Sequence, residues 1–135
     1  MYSWKDDYSV KITKIDQQHK KLFETFSILS SQMTKSSNKR ELDKAINQCE
    51  RAVLNHFKDE EKILKKCKYK NFDEHKHEHK QFAKKIKRKL KDFRYSNHTS
   101  EDIFEVYSFL NDWLVDHIMD SDHKYIDDVK DFHDC

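Results

Sequence analysis

Five of the nine histidines in this 135-residue chain interrupt stripes of apolar residues: His19, His56, His75, His79 and His117. Glu60 follows His56 by one helical turn and stands on the same stripe. A lone inward histidine is most often a core residue satisfied by one hydrogen bond. Five imidazoles and a carboxylate buried together would leave many polar groups to satisfy. A metal satisfies them at once, because neutral imidazole is a good ligand for iron, zinc and copper. The chemistry these residues could do is therefore metal binding in the interior.

Which histidines take part depends on the element that carries them. The segment FDEHKHEHKQF at 72–82 alternates histidine with charge. A strand would place His75, His77 and His79 on one side. A helix puts His75 and His79 one turn apart and His77 about 200° away from His75. Phe82, Ile86, Leu90 and Phe93 continue the spacing of His75 and His79, which selects the helix and turns His77 to solvent.

The whole chain supports that choice, since it has no glycine and no proline. A β-rich fold of this length would need several tight turns built from those residues, so the expected class is all-α. Four amphipathic stretches are legible. The first follows Asp16, read as its N-cap, and carries Ile15, His19, Leu22, Phe26, Leu29 and Met33. After TKSSN, Asn38 and Glu41 resemble a capping box, and the second stripe runs Leu42, Ile46, Cys49, Val53, His56, Glu60, Leu64. The third begins near Asn71 or Asp73. The fourth begins near Ser100 and carries Ile103, Val106, Tyr107, Leu110, Leu114 and His117. Short breaks between them favour an antiparallel up-down-up-down four-helix bundle. The expected organisation is one domain over 1–135, with an extended N-terminal arm at 1–15 and the bundle at 16–130. Trp4, Tyr8, Val10 and Ile12 recur at period two in that arm.

Charged residues are 39% of the chain, yet the formal net charge is only +2, so no global field points to nucleic acid. The basic string KKIKRKLK at 84–91 turns Ile86 and Leu90 inward and reads as a solvated helix face. No apolar run approaches the roughly 18 residues of a membrane span, and the N-terminus lacks a signal-peptide core. Cys49, Cys67 and Cys135 are odd in number and irregularly spaced, as expected for reduced thiols in a cytoplasmic protein.

The fourth stripe shifts by one residue beyond His117, resuming as Ile118, Asp122, Tyr125 and Val129. A five-residue step covers about 140° on a regular helix, too much for neighbouring ligands of one metal. Either the stripe drifts, or the helix holds a one-residue π-type bulge. In both cases Asp122 could reach a second metal beside that of His117. Spacing alone leaves Asp120 and His123 open.

With these residues in view the chain resembles the hemerythrin family, in its single-domain bacterial form. The matching stretches are IDQQHKKLF at 15–23, NHFKDEE at 55–61, EHKHEH at 74–79 and WLVDHIMDSD at 113–122, with Tyr125 after the last and Trp4 in the arm. Each is weak alone, but the ordered set H…HxxxE…HxxxH…HxxxxD is specific. The resemblance implies a bundle enclosing two irons with an oxo or hydroxo bridge. His75, His79 and His117 would hold one iron, His19 and His56 the other, and Glu60 and Asp122 would bridge them. It thereby selects Asp122 over Asp120 and His123. It implies reversible binding of dioxygen, as a hydroperoxide at the His19/His56 iron, for storage, delivery or sensing rather than enzymatic turnover. Leu22, Phe57, Trp113, Leu114 and Ile118 are the expected walls of the oxygen pocket, and a protein partner that reads or receives the oxygen is compatible with this role. The alternatives are a diiron oxidoreductase acting on peroxide or nitric oxide, and an iron buffer. Lys11, where many relatives carry glycine, YKNF at 69–72 and Cys67 depart from the usual pattern; none is an expected ligand.

The helix reading makes a direct prediction. His77→Ala should keep both irons, whereas His79→Ala should lose or scramble the site. Iron analysis of the two purified variants decides, and equal loss would contradict the helical spacing.

Overall fold

The computed structural model describes residues 3–31 and 39–126. Four helices account for most of them: α1 (Thr13–Ser31), α2 (Lys39–Lys66), α3 (Phe72–Arg94) and α4 (Ser100–Asp116). Their buried residues are the apolar stripes of the sequence. On α3, for example, the buried side chains are His75, His79, Phe82, Ile86, Leu90 and Phe93, while His77 and Lys87 are exposed. Of the expected features, Met33, the TKSSN break, Asn38, Val129 and Cys135 lie outside the described residues.

Each helix packs on two others: α1 on α2 and α4, and α3 on α2 and α4. This closes a ring of four, and the short connections at 67–71 and 95–99 make their helices antiparallel neighbours. Among the described residues no helix is long and apolar enough to cross a membrane.

The helix ends show how the chain turns without glycine. Lys11, Lys68 and His98 take positive φ values of 63°, 56° and 55°, the left-handed region that glycine adopts most easily. Lys11 thus occupies a position whose backbone a glycine would adopt without strain. At the start of α4, Thr99 accepts from the Asp102 amide while Asp102 accepts from the Thr99 amide, a complete capping box.

Two expectations need correction. The arm is not extended throughout, because Asp6–Tyr8 form a 3-10 turn and α1 already begins at Thr13. Nor is Asp16 the N-cap of α1. Its carboxylate lies inside the first turn and accepts from the Ser9 hydroxyl (2.6 Å) and the Val10 amide (2.8 Å). Asp16 therefore fastens the arm, a contact seven residues away that helix-start rules do not describe. Tyr8 stacks on Phe23 with ring centroids 5.7 Å apart, and Lys20 lies over the Trp4 ring.

The apolar interior falls into two clusters. The larger contains Leu22, Phe26, Val53, Phe82, Ile86, Leu110, Leu114 and Ile118 among others. The smaller gathers Val10, Ile12, Ile15, Ile63, Leu64, Tyr69 and Tyr125. On α1 and α2 the singled-out polar residues fall between members of the two clusters, His19 between Ile15 and Leu22, and His56 and Glu60 between Val53 and Ile63; His75 and His79 lie between Tyr69 and Phe82, and Asp122 between Ile118 and Tyr125. The metal candidates thus form a polar layer sealed by apolar layers on both sides.

Cys49 is a free, buried thiol, pushed up to about 12 by burial. Cys67, however, is disulfide-bonded, which corrects the expectation of reduced cysteines. An odd count excludes a fully paired framework but leaves room for one crosslink.

The lysine-rich face gives a paired test of this architecture. Leu90→Ala should cost roughly 2–5 kcal/mol, as for other buried leucines, and Lys87→Ala should stay within about 0.5 kcal/mol. Urea unfolding of both variants checks this.

Candidate metal centre

The polar layer brings together side chains from all four helices. His19, His56, Glu60, His75, His79, His117 and Asp122 are all at most 6% exposed, and Glu60 and Asp122 are completely enclosed. Sequence spacing had left Asp120 and His123 open as alternatives. Asp120 is exposed, and His123 binds two carbonyl oxygens instead, those of Ile118 and Asp7.

Asp122 reaches the layer because the helix changes its winding. Residues His117–Asp122 form a π-helical segment directly after α4. The wider turn absorbs the extra residue, so His117 and Asp122 face the same interior. Of the two explanations for the shifted stripe, the structure has the bulge.

The five imidazoles turn the same atom inward. His19 Nε2 lies 3.2 Å from His56 Nε2 and 2.9 Å from Asp122. His56 Nε2 is 3.2 Å from Glu60, and His79 Nε2 3.0 Å from the other Glu60 oxygen. His75 Nε2 touches Glu60 and lies 3.2 Å from Asp122, and His117 Nε2 is 3.1 Å from Asp122. These atoms form two convergent sets. One is His19, His56, Glu60, His117 and Asp122; the other is Glu60, His75, His79, His117 and Asp122. Within each set the ligating atoms lie within 4.8 Å of one another. Glu60 and Asp122 belong to both, and so does His117.

Hydrogen bonding does not satisfy this cluster from within. His79 Nε2, His117 Nε2 and both Asp122 oxygens are buried and lack a hydrogen-bond partner despite their close neighbours. Each such group would cost roughly 1–3 kcal/mol if nothing met it. Cations placed among the converging lone pairs would meet them all, and a set of imidazoles and carboxylates suits divalent iron or zinc.

The outer nitrogens of two histidines fix their rings, whereas His19 Nδ1 is buried without a hydrogen-bond partner. His56 Nδ1 donates to the Gln18 side-chain oxygen (2.8 Å), and Gln18 in turn donates to Asp59 (3.2 Å). His79 Nδ1 donates to the Glu61 carboxylate at 2.7 Å. With Nδ1 holding the proton, Nε2 presents its lone pair to the centre. The Tyr125 hydroxyl donates to Glu60 at 3.4 Å. Sequence reading missed Gln18 and Glu61. Their signal was adjacency, since Gln18 precedes His19 and Glu61 follows Glu60.

Protonation of the metal-free layer follows from its charges. Burial alone would lower His117 and His75, but Asp122 and Glu60 outweigh it and raise them to about 10 and about 9. His19 is raised in the same way. Burial dominates at His56 and lowers it. Glu60 and Asp122 resist the upward push of burial and lie well below the usual carboxylate range, because histidines surround them. Tyr125 is raised by burial and by both carboxylates.

The expected pocket walls divide. Phe57 stacks on His79 (4.0 Å, 11°) and Trp113 on His117 (5.0 Å, 18°). Leu22, Leu114 and Ile118 are fully buried members of the larger apolar cluster.

Comparisons with known proteins agree with this geometry. Residues 10–129 match the model of the hemerythrin HHE cation binding domain. The chain is similar to a bacteriohemerythrin of Clostridium acetobutylicum, with 33% identity over 132 residues covering 94% of this chain and all of that one. A myohemerythrin of Theromyzon tessulatum is 32% identical over 124 residues, covering 92% and 90% of the two chains. The crystal structure of a wild-type hemerythrin superposes with a TM-score of 0.78 at 26% identity, covering 93% of this chain and 95% of that one.

The charges predict how the metal-free protein responds to pH. Histidines raised in the folded state stabilise it fully below their ordinary 6.5, and this is lost as pH rises through about 9 and 10. The depressed carboxylates stabilise it above their ordinary range near 4 and lose that contribution on acidification. Urea midpoints of the metal-free protein should therefore be higher near pH 6.5 than at pH 10, and should fall again on acidification through about pH 4, with the lowered His56 offsetting part of the histidine contribution below 6.5. A midpoint still rising from pH 7 to 10 would contradict the assignment.

Proposed function

The chain belongs to the hemerythrin family, and from that premise we propose that it holds a pair of iron ions and takes up dioxygen reversibly, for storage, delivery or sensing. Proteins of this family bind oxygen rather than turn over a substrate. The observation that carries the reading is the pair of convergent ligand sets sharing Glu60 and Asp122. One mononuclear site would need no second set, and a buffer that exchanges its metal would gain nothing from complete enclosure.

In this reading His75, His79 and His117 would hold one iron, His19 and His56 the other, and Glu60 and Asp122 would serve both. His117 lies near both sets, and the order of the family motif supports placing it with His75 and His79. Three histidines against two leave the His19/His56 iron with fewer protein ligands, and therefore with room for an incoming small molecule. When bound, two ferrous ions supply the two electrons that reversible dioxygen uptake borrows and returns.

The protein's own part is to position and to protect. Gln18 and Glu61 hold His56 and His79 with Nε2 inward. Tyr125 donates to Glu60 from the smaller apolar cluster and orients that carboxylate. Leu22, Leu114 and Ile118 close the layer against water, and Phe57 and Trp113 cover the His79 and His117 rings. A dry enclosure keeps protons from diverting oxygen chemistry toward irreversible loss of the reduced state.

Purified protein should contain about two irons per chain by this reading. The anaerobically reduced protein exposed to oxygen should develop a visible charge-transfer band that vanishes under vacuum. Zinc alone, or immediate irreversible oxidation, would contradict it; sustained turnover of peroxide or nitric oxide would favour an oxidoreductase.

A further inference from the structure

Helix α2 carries three consecutive acids, Asp59, Glu60 and Glu61. Successive helical residues point about 100° apart, so Glu60 enters the metal layer while its neighbours flank it. Asp59 lies on the α1 side and Glu61 on the α3 side. The two neighbours act on the two histidine sets differently. Glu61 accepts the His79 Nδ1–H bond directly at 2.7 Å. No hydrogen bond joins Asp59 to His56. It binds the Gln18 amide at 3.2 Å, and the other end of that amide accepts from His56 at 2.8 Å.

We propose that this inequality adds to the unequal histidine count in making the two metal positions electronically unequal, with Glu61 and Gln18 as the positioning residues that tune the difference. The proposal rests on the diiron reading above. A carboxylate accepting from Nδ1 draws the proton toward itself and gives the imidazole partial imidazolate character, so Nε2 becomes a stronger donor. A neutral amide oxygen does this far less, and the Asp59 charge reaches His56 only through the Gln18 dipole. The position served by His79 is held more tightly and favours the ferric state. The position served by His56 is held less tightly and favours the ferrous state. An iron held at the His79 position would be the easier of the two to oxidise by an external one-electron oxidant.

The same geometry keeps the direct carboxylate accessible. The Glu61 side chain is 22% exposed and lines a groove of about 450 Å³ with Lys58, Lys76 and Lys80. A change at this surface position alters the donor strength of an enclosed ligand without opening the metal layer.

The experiment compares Glu61→Gln and Gln18→Glu with the unaltered protein, because each keeps shape and an acceptor while changing charge. Metal analysis comes first. Two irons in the unaltered protein establish the premise, and their absence would overturn both this inference and the reading it rests on. Spectroelectrochemical titration then reads the two one-electron steps. Glu61→Gln should raise the more easily oxidised step, and Gln18→Glu should lower the other, so each narrows the separation. Chelator competition should show retention in Glu61→Gln weakened by roughly 10- to 100-fold for the tighter ion. Separations unchanged in both variants, with iron retained, would overturn the inference and leave the two bonds as ring supports only. If a variant keeps too little iron for titration, the cobalt-loaded form serves. Its shifted, exchangeable imidazole N–H resonances should move at the His79 proton in Glu61→Gln and at the His56 proton in Gln18→Glu. Identical spectra would overturn the inference.

Discussion

Seven polar side chains converge in a layer from which water is excluded, and their inward atoms are almost all lone pairs. Where Nδ1 holds the proton, as in His56 and His79, the inward Nε2 is an acceptor that faces a carboxylate oxygen or another Nε2. Protonation offers a partial remedy in the metal-free protein, where Asp122 and Glu60 hold protons on His75 and His117. It leaves His79 Nε2 without a hydrogen bond. Cations are the partners that suit this geometry. The two apolar clusters that sandwich the layer make the requirement severe, since they remove the water that would otherwise compensate.

That requirement explains local features with no other purpose in the fold. The π-helical segment at His117–Asp122 interrupts a helix that could have continued regularly, and its effect is to bring Asp122 beside His117. Asp16 spends its carboxylate on the arm rather than on its own helix end, which carries Val10 and Ile12 over the smaller apolar cluster. Tyr125, in the 3-10 turn beyond the bulge, belongs to that cluster and also donates to Glu60. The seal and the site are built from the same residues.

Most of this was legible in the sequence because helical periodicity is a strong signal when glycine and proline are absent. The stripes of α2 and α3 are the buried faces of those helices, and His77 separates from its neighbours by angle alone. The shift after His117 announced an irregularity without saying which kind, since drift and bulge leave the same stripe. The arm misled because period two in Trp4, Tyr8, Val10 and Ile12 describes burial on one side, which a 3-10 turn also provides. Gln18 and Glu61 stayed hidden because they act across helices: their partners lie 38 and 18 residues away. Cys67 shows the limit of counting, as an odd number of cysteines says nothing about any one of them.

The account reduces to two metal ions in one buried layer, spanned by Glu60 and Asp122. Anomalous diffraction from crystals of the iron-loaded protein, collected on both sides of the iron edge, tests this most directly. The account predicts two iron peaks inside the bundle, one beside His75, His79 and His117 and one beside His19 and His56, with Glu60 and Asp122 contacting both. A single peak, a zinc signal, or iron bound outside this layer would contradict it.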